Sequence, residues 1–155
     1  MPADSTAQDT APGETGPAET GSAESAQPRG TLATRTLAMP ADANPNGDIF
    51  GGWVLSQMDI AGGITAGARA RGRVATVAVD AMVFHRPVYV GDVLCTYADI
   101  IRIGRTSIAI HIEAWALRGS FSDKVPHAHV KVTQGTFTLV AIDDNGRPRP
   151  VPPEE

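Results

Sequence analysis

Three residues whose types could do chemistry stand where a turn passes into a helix: Asp48, Gly51 and Gly52. The Asn-Pro-Asn-Gly run at 44–47 predicts the turn, because Pro fixes φ, Gly accepts positive φ and Asn satisfies its own backbone. The first N–H groups of a helix have no partner within it and lie at the positive end of its dipole. A carboxylate at this place either caps the helix or belongs to an active site, since Asp is a preferred cap and can act as a base.

A helix over about 50–69 follows the turn, because large apolar residues and small residues recur there at spacings of three and four. At about 1.5 Å per residue it would be roughly 30 Å long. Glycine inside a helix costs up to about 1 kcal/mol against alanine. We therefore expect Gly62, Gly63 and Gly67 to mark close approach to a neighbouring backbone.

All other predicted elements are strands, at 31–40, 73–87 (one long strand or two joined by a bulge), 93–103, 106–117 and 129–142. The short connection at Gly104 predicts a hairpin. Consecutive strands joined by tight turns form an antiparallel sheet, and the single helix must cover one of its faces. Such a sheet has exposed edges, which favours a dimer that joins two sheets edge to edge.

Composition separates the two ends of the chain from its middle. Residues 1–30 contain no Val, Ile, Leu, Phe, Trp or Tyr and carry five acids against one base, so we expect a disordered acidic low-complexity tail. Residues 148–155 are Pro-rich and predict an extended C-terminal tail. From residue 31 onward twelve bases balance twelve acids, so no basic surplus favours nucleic acid. With no signal-peptide or membrane-span pattern, we expect a soluble cytoplasmic protein that does not contact membranes.

Cysteine and histidine usage gives little support for a metal site. Cys95 is the single cysteine, which excludes an internal disulfide and predicts a small buried residue in a strand. His127 and His129 would share a strand face, but no third ligand is evident, so we expect no metal. His85 and His111 are expected to be structural.

One distinctive block is Asn-Gly-Asp-Ile-Phe-Gly-Gly-Trp at 46–53, followed by Ser-Gln-Met-Asp at 56–59. Further blocks lie at 35–40, 72–79, 87–93, 104–107 and 144–147. Together these blocks resemble hotdog-fold acyl-CoA thioesterases of the YciA type, and the resemblance covers nearly all of 35–147. It implies an α+β hotdog domain at 31–147, in which an antiparallel sheet of about five strands wraps round one long central helix.

The same resemblance implies that the chain hydrolyses fatty acyl-CoA to free fatty acid and CoA without a cofactor. It makes Asp48 the catalytic carboxylate and places the thioester carbonyl at the helix start, where the N–H groups of Gly51 and Gly52 could stabilise an oxyanion. Asp48 could activate a water or attack directly, and the sequence leaves both routes open. The implied assembly is a homohexamer, a trimer of hotdog dimers with active sites at the dimer interface.

CoA carries phosphates, which favour arginine side chains at exposed turns. The expected CoA contacts are Arg86, Arg102, Arg105 and Ser107. We also place Asn46 and Trp53 among the substrate-binding residues, although Asn more often forms turns and Trp53 could simply pack. Asp59, about three helical turns beyond Asp48, is expected to make a polar contact at the dimer seam.

Three positions depart from the pattern usual in this family: Val83, His85 and Gln134. They stand on predicted strands that could border the acyl channel, so we expect them to affect the preferred chain length. Two other functions remain open. One is a non-catalytic acyl-CoA-binding sensor; the other is a hydratase-like hotdog enzyme, whose usual Asp and His pair on the helix segment is missing here.

Overall fold

The computed structural model describes residues 27–155, so residues 1–26 of the predicted acidic tail lie outside the described residues. The elements are β1 Thr31–Leu37, α1 Gly51–Ala70, β2 Val74–Asp80, β3 Val93–Ile103, β4 Ser107–Arg118 and β5 Ala128–Ala141, with a 3₁₀ turn at Pro40–Asp42. The strands form one antiparallel sheet in the order β1-β3-β4-β5-β2. Helix α1 contacts all five strands. The predicted α+β architecture, one long helix against a five-stranded antiparallel sheet, is confirmed.

Helix α1 lies on the sheet through its small and apolar residues, within one residue of its predicted limits. A Cβ atom at Gly62 would lie 3.2 Å from Cδ1 of Ile112 and 3.4 Å from Cδ1 of Leu139. The expected approach to a backbone is therefore wrong for Gly62, which instead admits methyl groups of the sheet.

Within residues 27–155, no helix combines the length and apolarity that a membrane crossing requires.

The prediction of strand throughout 73–87 is wrong after Asp80, where β2 ends. Ala81 has a φ of 57°, a left-handed conformation that L-residues other than Gly rarely adopt, and it turns the chain out of the ladder. Residues 82–87 then follow β5 through separate hydrogen bonds. The Thr133 hydroxyl donates to the Val83 carbonyl at 2.8 Å, and the His85 N–H donates to the Val132 carbonyl at 2.8 Å. This path brings residues 84–88 to the start of α1.

The other connections lie close to their predicted places. The Gly104 N–H donates to the Ser107 carbonyl at 2.8 Å, which confirms the hairpin between β3 and β4. Strand β1 ends three residues earlier than predicted, because the 3₁₀ turn begins at Pro40. Cys95 is fully buried in β3, as predicted.

Both ends of the described chain pack on the domain. Arg29 Nε lies 2.7 Å from Asp99 Oδ2. At the other end, Arg149 Nη2 donates to the carbonyl of Ala70, the last residue of α1, at 2.9 Å, and the Val151 N–H donates to the Arg105 carbonyl at 2.8 Å. The residues that flank the predicted 31–147 domain therefore contribute contacts of their own.

A buried carboxylate, Glu113, lies at the centre of β4. Successive side chains of a strand point to opposite faces, and the neighbours of Glu113 in β4 belong to the core under α1, so Glu113 lies on the other face of the sheet. Its Oε1 atom accepts from Trp115 Nε1 at 2.9 Å and from the Arg29 N–H at 3.4 Å. His111 Nε2 lies 2.8 Å and Lys131 Nζ 3.8 Å from Oε2. Burial raises the pKa of Glu113, but hydrogen bonds, first of all from His111 and Trp115, outweigh burial and hold the pKa below its usual range. His111 is thus structural, as expected.

Glu113→Gln should lower the free energy of unfolding at pH 7 by about 1–3 kcal/mol, because one amide oxygen cannot accept all the bonds that the carboxylate accepts. The folded pKa is lowered, so the stabilisation from ionised Glu113 is complete above the unfolded pKa of about 4.3 and disappears as pH falls through the folded pKa. The difference between wild type and variant should therefore shrink between pH 5 and pH 3 in urea titrations. Exposed Glu154→Gln is the control; an equal difference from wild type at both pH values in Glu113→Gln would contradict this account.

Candidate active site

The loop before α1 is folded by the side chain of Asn44. Its Oδ1 atom accepts from the N–H of Asn46 at 2.9 Å and from the N–H of Asp48 at 3.2 Å. The Asn44 N–H donates in turn to the Asp48 carbonyl at 2.6 Å, and Gly47 takes a φ of 88° between them. A side-chain amide thus fixes the backbone of Asp48 from within the loop, which confirms Asn44 as a turn former.

The segment 87–89 holds the same loop from the other side. Asp48 pairs with Tyr89 in an isolated antiparallel bridge, and the N–H of Ile49 donates to the Val88 carbonyl at 2.9 Å. Ile49 and Val88 are both buried in the core. The backbone of Asp48 is therefore attached to the packed domain, while its side chain is half-buried and makes no hydrogen bond within residues 27–155.

The start of α1 has no side-chain cap. Phe50 is the N-cap residue, and its carbonyl accepts from the N–H groups of Trp53 and Val54 at 3.0 and 3.4 Å. The N–H groups of Gly51 and Gly52 have no acceptor in the part of the chain that the structure describes. The alternative in which Asp48 merely caps the helix is therefore wrong. Two donors at the positive end of the helix dipole are available to a ligand.

An open cleft of about 370 Å³ joins these features. It is lined by Asp48, Gly51, Asn44, Phe84, His85, Arg86 and Pro87. The apolar side chains in its wall are those of Ile49, Val54, Val88 and Val132. The cleft thus presents one carboxylate and one free helix amide beside apolar surface. Gly52 lines a second groove of about 290 Å³ between α1 and β2, whose other residues include Leu55, Val79 and Phe137.

The predicted substrate-binding residues near the loop take three different positions. Arg86 lines the Asp48 cleft, where its Nη1 atom donates to the Lys131 carbonyl at 3.3 Å. Asn46 is exposed at the tip of the loop, and its side chain has no hydrogen bond among residues 27–155. Trp53 is half-buried and packs on the core, away from the lining of the cleft.

The other three predicted contacts lie at the far end of the sheet. Strand β3 begins beside Leu37, near the Asp48 loop, and runs for 11 residues to Ile103. Arg102, Arg105 and Ser107 stand at or just beyond its end, about 30 Å from the first residue of β3 at roughly 3.3 Å per residue. Within this chain, these three residues therefore lie far from Asp48.

No group of three His, Cys, Asp or Glu side chains suited to a metal ion exists in the described range 27–155. His129 packs its ring against Trp115, with ring centres 4.7 Å apart, and edge-on to Tyr97 at 6.3 Å. Burial lowers the pKa of His129, the first cause, and the charge of Arg35 lowers it further. His127 lies before β5, outside the strand that was expected to hold both histidines.

The structure adds cleft residues that sequence reasoning undervalued. His85 is exposed and lines the cleft, and Phe84 lies beside it. His85 was expected to be structural, although it was also one of the three departures from the family pattern; the only sequence signal of Phe84 is the apolar run before Pro87, which predicts strand. Gln134 lies elsewhere, since it pairs with Glu113 on the opposite face of the sheet and accepts a hydrogen bond from Lys131.

Comparison with known proteins gives consistent matches. The family model described as thioesterase superfamily matches residues 46–120. The chain is 54% identical over 125 residues to the acyl-CoA thioester hydrolase YciA of Salmonella typhimurium, covering 81% of this chain and 92% of that protein. A hexameric thioesterase from Yersinia pestis is 52% identical with a TM-score of 0.76, covering 83% of this chain and all of that one (100%). A hexameric broad-specificity acyl-coenzyme A thioesterase is 49% identical with a TM-score of 0.77, covering 83% and 85%.

These matches extend over the site as well as the fold. The matched family region contains Asp48, the uncapped helix start and the segment that pairs with the loop. The relatives named YciA of Salmonella typhimurium and Escherichia coli align over 92% and 95% of their own length at 54% and 52% identity. The chain belongs to the YciA family of acyl-CoA thioester hydrolases within the thioesterase superfamily.

Proposed function

We propose that this protein hydrolyses fatty acyl-CoA thioesters to free fatty acid and CoA at the cleft of Asp48. One observation carries the proposal: a half-buried carboxylate without a hydrogen-bond partner in residues 27–155 stands three residues before a helix start whose amides are free. Relatives that align over most of the chain are named acyl-CoA thioester hydrolases, which supports the same reaction. A cytoplasmic location, and a reaction without a cofactor, stay predictions.

The thioester carbonyl would sit above the first turn of α1. When a nucleophile adds to that carbonyl, charge develops on its oxygen, and the N–H groups of Gly51 and Gly52 would donate to it. The helix dipole favours negative charge at the same place. Because the two glycines carry no side chain, a substrate can approach their amides closely.

Asp48 would supply the second requirement, a base or a nucleophile. As a base it would take a proton from a water that attacks the carbonyl, and the proton would pass to the sulfur as the C–S bond breaks. As a nucleophile it would form a mixed anhydride, release CoA, and be freed when water hydrolyses the anhydride. Both routes give acid and thiol, and the geometry is compatible with both.

The apolar groove between α1 and β2 is the proposed place for the acyl chain. It begins at Gly52, next to the free amides, and continues along Leu55, Val79 and Phe137. Thr76 closes one side by donating to Asp59 Oδ1 at 2.5 Å. An acyl group whose carbonyl lies at the helix start could extend into this groove without crossing the polar side of the cleft.

Subunit association would complete the site. Among residues 27–155, strand β2 pairs only with β5, so its second edge has no partner there; Val77 within β2 and Val83 just after it are 60% and 61% exposed. We propose a dimer formed at this edge, with three dimers in a hexamer like those of the Yersinia pestis and broad-specificity thioesterases. Arg102, Arg105 and Ser107 would then bind CoA phosphates for the cleft of another subunit, where Arg86 lies.

Asp48→Asn should lower kcat by about 100-fold or more, because the amide is neither a base nor a nucleophile. The fold should persist, since the Asp48 side chain makes no hydrogen bond among the described residues. Thiol release from acyl-CoAs of two to sixteen carbons measures turnover, and the exposed Asp123→Asn is the matched control. Full activity in Asp48→Asn would remove Asp48 from the mechanism, and acyl-CoA binding without turnover by wild type would favour the sensor.

Gly51→Ala should fold but lose about tenfold to a hundredfold in kcat/KM, since small displacements at a reacting centre have effects of that order. A Cβ atom at Gly51 would make an ordinary contact, 3.6 Å from the Phe84 ring. Helical Cβ atoms tilt toward the N-terminus, so the methyl group would enter the cleft. Gly67→Ala, whose Cβ would lie 3.5 Å from the Gly72 carbonyl, is the control at the other end of α1. Equal activity of the two variants would argue against close approach to Gly51.

Val77→Asp should break the hexamer, because like charges would face each other across the free edge of β2. Light scattering after size exclusion should show a species well below about 97 kDa, the mass of six copies of 16.2 kDa. Val77→Thr keeps the size and strand propensity of valine and should stay hexameric. A hexameric Val77→Asp protein would place the dimer contact elsewhere.

A further inference from the structure

Arg118 and Asp92 lie on the far side of the segment 87–89 and, with Tyr89 of that segment, form what we call the Arg118 clamp. Arg118 is the last residue of β4, and Asp92 directly precedes β3. Their side chains are 19% and 7% exposed, so a charged pair is largely removed from water here. Nothing in the proposed chemistry above uses these residues.

Each polar group of the clamp has a defined partner. Asp92 Oδ2 accepts from the Tyr89 N–H at 3.0 Å and from Arg118 Nε at 3.2 Å. Arg118 Nη2 donates to the Pro87 carbonyl at 2.5 Å. The guanidinium carbon also lies 4.7 Å from the centre of the Tyr89 ring, a cation–π contact. One guanidinium thus holds both ends of the segment 87–89.

This segment is the one to which the Asp48 loop is bonded. Tyr89 pairs with Asp48, and the Val88 carbonyl accepts from the Ile49 N–H. The inner side of the segment therefore positions Asp48, while its outer side is held by Arg118. A shift of Pro87 or Tyr89 would move the carboxylate relative to the amides of α1.

The contacts require the shape of arginine as well as its charge. The planar guanidinium directs two N–H groups to two acceptors and presents its face to an aromatic ring. Lysine would keep the ion pair with Asp92 but could not make all three contacts in one geometry. A neutral side chain would leave the buried carboxylate of Asp92 without its cation, which is costly.

We propose that Arg118 is a positioning residue for the reaction, which sets the place of Asp48 through Asp92 and the segment 87–89 without touching substrate. This inference rests on the proposed role of Asp48. A positioning role of Arg118 differs from a purely structural role in one measurable way. Loss of Arg118 should lower the rate of the chemical step in folded enzyme, while substrate affinity changes little.

The kinetic test compares Arg118→Gln and Arg118→Lys with wild type, Asp48→Asn and a control. Arg149→Gln is the control, because Arg149 also donates to two carbonyls, those of Ala70 and Ile142, but does so at the other end of α1. We expect kcat to fall about tenfold or more in Arg118→Gln with KM within about threefold of wild type, the effect of a misplaced reacting group. Arg118→Lys should recover part of the loss, and Arg149→Gln should keep the wild-type kcat. All variants are assayed well below their unfolding temperatures.

The second readout is hydrogen exchange at the Ile49 amide, which reports the contact with Val88 independently of turnover. Exchange in the peptide over 43–53 should be faster in Arg118→Gln and unchanged in Arg149→Gln. Wild-type kcat and wild-type exchange in folded Arg118→Gln would overturn the proposal. If wild type released no thiol, the proposed function would fail instead, and exchange at Ile49 would still decide whether Arg118 holds the loop.

Discussion

The start of α1 is the constraint on which the rest of the site depends. A helix leaves its first N–H groups unpaired, and most helices satisfy one of them with a side-chain cap. Here no side chain caps the helix, and the Gly51 and Gly52 amides face outward at the end of a 20-residue helix. These two N–H groups have no acceptor within residues 27–155, so a ligand or a water molecule must accept their hydrogen bonds. The ligand that we propose for these amides is the oxygen of the thioester carbonyl.

Packing on the sheet fixes the position of this helix start. Contacts between α1 and all five strands set its direction, and Gly62 allows it to sit close to Ile112 and Leu139. Two loops then meet at its first turn, one folded by Asn44 and the other held by Arg118. Asp48 is carried on the first loop, and its backbone pairs with the second. The free helix amides and Asp48 are thus positioned by different parts of the chain.

Sequence patterns predicted those features of the fold that depend on local hydrophobic periodicity and on residues that favour turns. The limits of α1, the hairpin at Gly104 and the link between Asp48 and the helix start follow from neighbouring residues. The strand predicted through residue 87 was wrong, because the left-handed backbone of Ala81 has no signature in a run of apolar residues. The link between Asp92 and Arg118 was missed for a related reason, since 26 positions separate two residues that only the β3–β4 pairing brings together.

The predicted substrate contacts also fall into two groups. Arg86 was predicted from its type and lies at the cleft, whereas Arg102, Arg105 and Ser107 lie at the opposite end of the sheet. Residue type suggests phosphate binding at both ends, but only assembly determines which arginines share a site. In the proposed hexamer these residues would share one site across subunits.

The most direct test of the account is a crystal structure of the Asp48→Asn protein with an acyl-CoA bound. We expect the thioester carbonyl oxygen within about 2.7–3.1 Å of the Gly51 or Gly52 nitrogen, the range of oxyanion-hole donors. The substituted side chain at position 48 should lie beside the carbonyl carbon or next to a water that contacts this carbon. A thioester bound away from the first turn of α1, with those amides still open to solvent, would contradict it.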